Sequence, residues 1–272
     1  MAPILSPHLG FFLQQFIQTF PVESALIRDP VQFPRSYSDP RDQEVSGLIA
    51  SCLAYGQVTQ FIPKLQQLLN PMGGSPHQFL KKSAPKQLQK ICKGFHYRFT
   101  KEQDIYELLR SIQETLNQWD SLEKLFRSGY QNTHESYEEA LSHFVGTLRQ
   151  DRSNPSHGFA HLLPLPQKKS PVKRLCLFFR WMIRKKDQLD LGTWGGFPTH
   201  KLIIPLDTHI SRIAYQLGLV EEGNATLRRA REITVSLKQF DAEDPLKYDF
   251  YLAHLGISGQ CPKRQKKELC RE

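Results

Sequence analysis

Apolar residues recur at three- and four-residue spacing along most of the chain, the mark of helices with one buried face. Residues 8–20 predict a surface helix that ends at Pro21. Ser38-Asp39-Pro40 is a helix start, with a capping side chain and a proline where the missing N–H costs nothing. The helix it opens, through RDQEVSGLIASCLAYG, buries Val45, Leu48, Ile49, Cys52 and Leu53. Pro71-Met72-Gly73-Gly74 and Ser75-Pro76 mark a turn, and helical spacing returns over 77–82, 86–92, 101–118, 121–128 and 134–150. Further helices are expected after Pro171, after Asp207, over 224–239 and over 245–255. No alternating pattern of the kind strands need is apparent, so the predicted fold class is all-α. With 272 residues, the chain is long for one core and short for two independent ones. Two interlocked helical lobes are expected, 1–56 with 203–272 and 57–202, the second carrying a hairpin-like segment at 162–186.

The most informative stretch is 202–219, LIIPLDTHISRIAYQLGL. An apolar run ends at Pro205-Leu206, and Asp207 takes the N-cap position, where a carboxylate accepts from free helix amides at the positive end of the dipole. Ile210, Ile213, Ala214 and Leu217 form the buried face, and Gly218 is the expected stop. By local pattern alone, Asp207 is a cap and His209 a structural residue of the helix start.

This segment resembles the one that carries the catalytic aspartate in the helix-hairpin-helix DNA glycosylases, the endonuclease III-like enzymes. Asp207, Thr208, His209, Arg212, Leu217, Gly218 and Leu219 match that pattern in one register. LIASCLAYGQVTQFIPKLQQLL is similar to the N-terminal helix pair of the same superfamily and puts Tyr55 and Gln57 at cleft-lining positions. The superfamily's hairpin falls at Leu163-Pro164, with its lysine position on Lys169 and its threonine on Ser170. The hairpin glycines that admit a phosphate are absent, and the loop before Asp207 is long. Over nearly its full length the chain looks still more like a bacterial family known only as a domain of unknown function, whose recurring lysine matches Lys173. The resemblance implies a helical fold with a cleft between its lobes. It also implies excision of a flipped damaged base, with Asp207 as the carboxylate and Lys169 or Lys173 as the amine. The tail resembles a helix that precedes a four-cysteine iron–sulfur site, but only Cys261 and Cys270 are present, so no cluster, metal or other cofactor is expected.

A net charge of +9 suits a polyanionic partner, double-stranded DNA first, bound by a monomer. From residue 168 to residue 186 there are eight cations and no acid: Lys168, Lys169, Lys173, Arg174, Arg180, Arg184, Lys185 and Lys186. Arg174, Trp181 and Arg184 can share an exposed helix face, a strip suited to phosphates, while Leu175, Phe178, Phe179 and Met182 pack inward; a solvated helix face is the alternative. Trp194, on a glycine-flanked loop, fits either a wedge against a base or a plug in the core. The aromatic-basic run at 95–99 fits either base stacking or a half-buried helix end. Gln57 and Arg212 complete the expected nucleic-acid contacts. Five cysteines without a CxxC pair point to a reducing cytosol, and no apolar run approaches the length of a membrane span. A catalytically inactive nucleic-acid-binding module and an enzyme acting on RNA or a free nucleoside are the competing readings.

Overall fold

The computed structural model describes residues 5–149, 155–166, 170–185 and 187–257, and the described residues are mostly helical. The first part runs α1 (Pro7–Thr19), α2 (Val22–Leu26), α3 (Gln32–Arg35), α4 (Pro40–Leu53), α5 (Val58–Leu69), α6 (Pro76–Lys82) and α7 (Pro85–Cys92). A small hairpin follows, β1 (His96–Tyr97) and β2 (Thr100–Lys101), and then α8 (Glu102–Trp119), α9 (Leu122–Ser128), α10 (Glu138–Leu148) and α11 (His157–Leu162). The last part holds α12 (Lys173–Ile183), α13 (Thr208–Gln216), α14 (Leu227–Leu237) and α15 (Asp249–Ile257). The class is all-α, as the periodicity predicts.

Local chemistry fixes where these helices begin. Ser6, Asp39 and Ser75 each cap a helix whose first residue is proline, and each side chain accepts from an amide of the first turn. Ser121, Ser156 and Thr226 do the same for α9, α11 and α14.

Helix α4 is the centre of the molecule. Val45, Leu48, Ile49, Cys52 and Leu53 are fully buried, as expected, but so are Asp42 and Glu44. A helix buried on all sides must satisfy its own polar side chains. Asp42 does so by accepting from Ser75 Oγ at 2.8 Å and from the His77 amide at 2.9 Å, at the start of α6. Glu44 accepts from the Leu122 and Glu123 amides at 2.8 and 3.0 Å, at the start of α9. It also accepts from Trp194 Nε1 at 3.1 Å. Two carboxylates on one helix thus complete the N-termini of two others, where free amides and the dipole favour negative charge. One apolar cluster runs from Leu13 to Leu252, and a small satellite of Val22, Leu189, Phe250 and Tyr251 lies under α1.

The aromatic-basic run at 95–99 is not a helix end. His96 pairs with Lys101 and Tyr97 with Thr100 in an antiparallel ladder. Its two-residue turn has Arg98 at φ 54°, a left-handed conformation that favours glycine. A ladder this short has no room for the alternation that betrays a strand. Tyr55, just past α4, secures it: its hydroxyl lies 2.7 Å from Thr100 Oγ1, and the Tyr97 hydroxyl donates to the Tyr55 carbonyl. Among the described residues, no helix is long and apolar enough to cross a membrane.

Burial pushes the Glu44 carboxyl up from 4.5 to about 7, against the three hydrogen bonds that favour its charge. A carboxyl raised on folding contributes its full stability below pH 4.5, and that contribution is lost as pH rises through about 7. Glu44→Gln is therefore expected to flatten the fall in stability between those limits, a difference of at most about 3 kcal/mol. Urea midpoints of the two proteins at the two ends of that range are the check.

Candidate functional site

The run at 202–206 is buried and extended, and the Ile204 amide donates to Thr234 Oγ1 at 3.0 Å. This anchors the strand-like approach to α13 and delivers Asp207 to its N-cap. Oδ1 of Asp207 accepts from the His209 and Ile210 amides, both at 2.9 Å. Ile210, Ile213 and Ala214 are buried, and α13 packs chiefly on α15.

The other carboxylate oxygen is engaged by a lysine. Lys173 Nζ lies 3.0 Å from Asp207 Oδ2, and the two side chains remain 33% and 23% exposed. Lys173 is the first residue of α12 and follows Val172, which sits at φ 42° and ψ 34°. A buried β-branched residue in the left-handed region is a genuine outlier, and such strain costs about 1–3 kcal/mol. It sets the turn by which the chain enters α12 and hence the position of Lys173. Burial raises the Asp207 pKa, but the Lys173 charge and the Ile210 amide outweigh it and hold the group below the ordinary carboxylate value. The site is thus an ionised, amide-anchored carboxylate touching a partly exposed primary amine.

The rest of α12 departs from the expected phosphate strip. Residues 173, 180 and 184 are seven and eleven apart, so they fall within roughly 40° of one another around the helix. That stripe faces inward. Arg180 is 2% exposed; its Nε lies 3.1 Å from Asp190 and its Nη1 reaches Asp249. Arg184, buried as well, pairs with Asp187 at 2.5 Å, Asp190 at 2.8 Å and Asp244 at 3.0 Å. Burial disfavours both guanidinium charges, but the surrounding aspartates outweigh it and hold them charged. Burial pushes the carboxyl of Asp249 up to about 6, against the Arg180 charge. Arg174 is buried too, donating to the carbonyls of Cys52 and His161. Trp181 is fully buried. These three arginines are structural ion-pair and hydrogen-bond centres, not an exposed strip. Helical spacing shows which residues share a face but not that four aspartates from residues 187–249 come to meet it.

Trp194 is likewise the core plug. It is 3% exposed, it donates to Glu44, and its ring meets Phe126 and Phe178 with centroids 5.3 and 5.4 Å away. Arg212 is half-buried and donates to the Gly256 carbonyl at 2.9 Å, and His209 Nδ1 lies 3.3 Å from the same oxygen. Gln57 is exposed at the start of α5, where its side chain caps nothing. Lys185 is exposed. Lys168, Lys169, Lys186, Cys261 and Cys270 lie outside the described residues. Of the expected catalytic residues, Asp207 and Lys173 are brought together.

One group was not singled out from the sequence: His161, which stands beside Tyr55 and Phe99 and accepts from Arg174. The signal was two histidines four apart, His157 and His161, on one face of a short helix.

Removing Arg180 leaves the buried Asp249 carboxylate without its cation and Asp190 with Arg184 alone. Arg180→Met is expected to destabilise the fold by about 3–5 kcal/mol, whereas Lys185→Ala changes stability by less than about 0.5 kcal/mol. Denaturant titration of both variants tests the reassignment.

The family model for DUF2400, described as a protein of unknown function, matches residues 29–258. Comparison with curated proteins returns no match, and comparison with solved structures returns none either. The matched region holds the central helix α4, the buried stripe of α12 and the Lys173–Asp207 pair, and on that match the chain belongs to the DUF2400 family.

Proposed function

We propose that the chain is a nucleic-acid enzyme of the base-excising, N-glycosylase type, with Asp207 and Lys173 as its reacting pair. The observation that carries this reading is the 3.0 Å contact between a lysine at one helix start and a capping aspartate at another, both partly exposed. A structural ion pair gains little from partial exposure. A reacting pair requires it.

Breaking the bond between C1′ and a base leaves the electron pair on the base and positive charge on the sugar. Asp207 meets the need for a fixed negative charge, because its amide bonds and low pKa keep it ionised at neutral pH. Lys173 supplies a nucleophile at the same place. Its ammonium gives a proton to the departing base, and the freed Nζ lone pair bonds to C1′. Nζ then passes one of its two remaining protons to O4′ as the C1′–O4′ bond breaks, which leaves a free sugar hydroxyl and a protonated imine between the lysine and the sugar. The base must leave the duplex to reach such a pair. The net charge of +9 favours the polyanion that carries it. With Arg174, Arg180 and Arg184 turned inward, phosphate binding falls to exposed cations such as Lys185.

Asparagine caps a helix as well as aspartate does, so Asp207→Asn removes the charge while costing about 1 kcal/mol or less of stability. The test measures base release from a panel of damaged duplexes and borohydride trapping on abasic DNA. Release by the native protein, lost at least 100-fold in Asp207→Asn, is expected, together with a trapped adduct that disappears in Lys173→Gln. Binding of duplex without release or trapping on any substrate would identify an inactive binding module instead.

A further inference from the structure

Beside the start of α12 lies a group of rings that the Lys173–Asp207 pair does not use. Tyr55 and Phe99 stack almost parallel, with centroids 5.5 Å apart and planes at 12°. His161 stands edge-on to both, 4.9 Å from Tyr55 and 4.3 Å from Phe99. His157, one turn earlier on α11, meets Phe99 at 5.6 Å. Arg174, the neighbour of Lys173, closes the group from below. Its guanidinium lies 5.2 Å from the Tyr55 ring, and its Nη1 is 3.1 Å from His161 Nδ1.

That last contact fixes the histidine's chemistry. A guanidinium has donors only, so Nδ1 accepts and the ring proton sits on Nε2. Burial, reinforced by the Arg174 charge, pushes the His161 pKa down to about 3, so the ring stays neutral at physiological pH. Among the described residues, none accepts the Nε2 proton. Phe99 remains 39% exposed at the tip of the hairpin, and His96, Arg98, Lys101 and His157 are exposed around it. Arg98 is held at φ 54° to occupy that tip. Gly56 allows the close approach: a Cβ there would stand 2.5 Å from the Tyr97 hydroxyl and 2.8 Å from Arg98 Nη1.

We propose that Tyr55, Phe99 and His161 form a pocket for an unpaired nucleobase, which stacks on Phe99 and accepts a hydrogen bond from His161 Nε2, with its flanking phosphates against Arg98 and Lys101. A π-face, a neutral donor and adjacent cations are what a nucleotide needs and what a free phosphate, lacking a ring, cannot use together. A metal ion is a poor fit, since one histidine nitrogen is already taken by a guanidinium. This inference rests on the reading that the chain handles nucleic acid, and it adds a place at which an unpaired base is held.

The test is equilibrium binding of the full chain to a fluorescent single strand of about ten nucleotides. A matched strand in which abasic residues replace the bases serves as the comparison. Phe99→Ala is expected to weaken binding of the normal strand about 5- to 150-fold. His161→Phe keeps a ring but removes the donor, and is expected to weaken it about 2- to 10-fold. Neither variant changes affinity for the abasic strand. Arg98→Gly weakens both strands alike and lowers the salt dependence by about one phosphate contact. Thermal melts of each variant confirm folding, and where Phe99→Ala fails to fold, Phe99→Leu replaces it with the same expectation. Equal losses on the two strands, or no loss on either, overturn the pocket. Loss confined to the normal strand in a protein that neither releases bases nor forms a trapped adduct leaves the pocket standing and removes the proposed chemistry. Base release with unaltered binding by Phe99→Ala and His161→Phe does the reverse.

Discussion

The structure depends on how α12 is held. Its inward stripe of Lys173, Arg180 and Arg184 meets carboxylates at every position: Asp207 from the start of α13, Asp190 and Asp249 at Arg180, and Asp187, Asp190 and Asp244 at Arg184. Taking such charges out of water costs several kcal/mol per ion unless each is paired. The requirement is therefore directional, because only one rotation of α12 satisfies every partner. That rotation aims the stripe's first cation, at the helix start, at the Asp207 carboxylate. The buried members fix the geometry, and Lys173 is the member left partly exposed.

Helix α4 applies the same logic from the other side. Its buried carboxylates answer free amides at two helix starts, and the backbone carbonyl of Cys52, near its end, receives Arg174. The charged side chains buried in the interior have partners, while the indole N–H groups of Trp119 and Trp181 have none among the described residues. Buried polar and charged groups tie together elements distant in sequence: residue 44 with 122 and 194, residue 174 with 52 and 161, residue 180 with 249. Such long-range ties carry the relative placement of helices that apolar packing alone leaves loosely specified.

How much of this could be read in advance follows from which interactions are local. The helix start at Asp39 and the cap at Asp207 were legible, because a capping side chain and its amides are neighbours in sequence, whereas Ser75-Pro76, read as a turn, proves to be a capped helix start. The buried faces of α4 and α13 were legible from period alone. The α12 arginines were misread because their partners lie across the fold, and a run of cations looks the same whether it faces solvent or aspartates. Trp194 left two readings open for the same reason, since its acceptor, Glu44, is 150 residues away. The hairpin at 96–101 was missed because two-residue strands leave no pattern. Of Lys169 and Lys173, between which the sequence left a choice, Lys173 lies against Asp207 and Lys169 lies outside the described residues.

The central claim is that the Lys173 ammonium, placed by the buried stripe, governs the Asp207 carboxylate. Titrating selectively ¹³C-labelled aspartate carboxyls by NMR, in the native protein and in Lys173→Met, tests it directly. A midpoint for Asp207 below the ordinary carboxylate value, moving upward when the lysine is replaced, is the predicted result. An unchanged midpoint would mean that the two groups do not interact and would contradict the account.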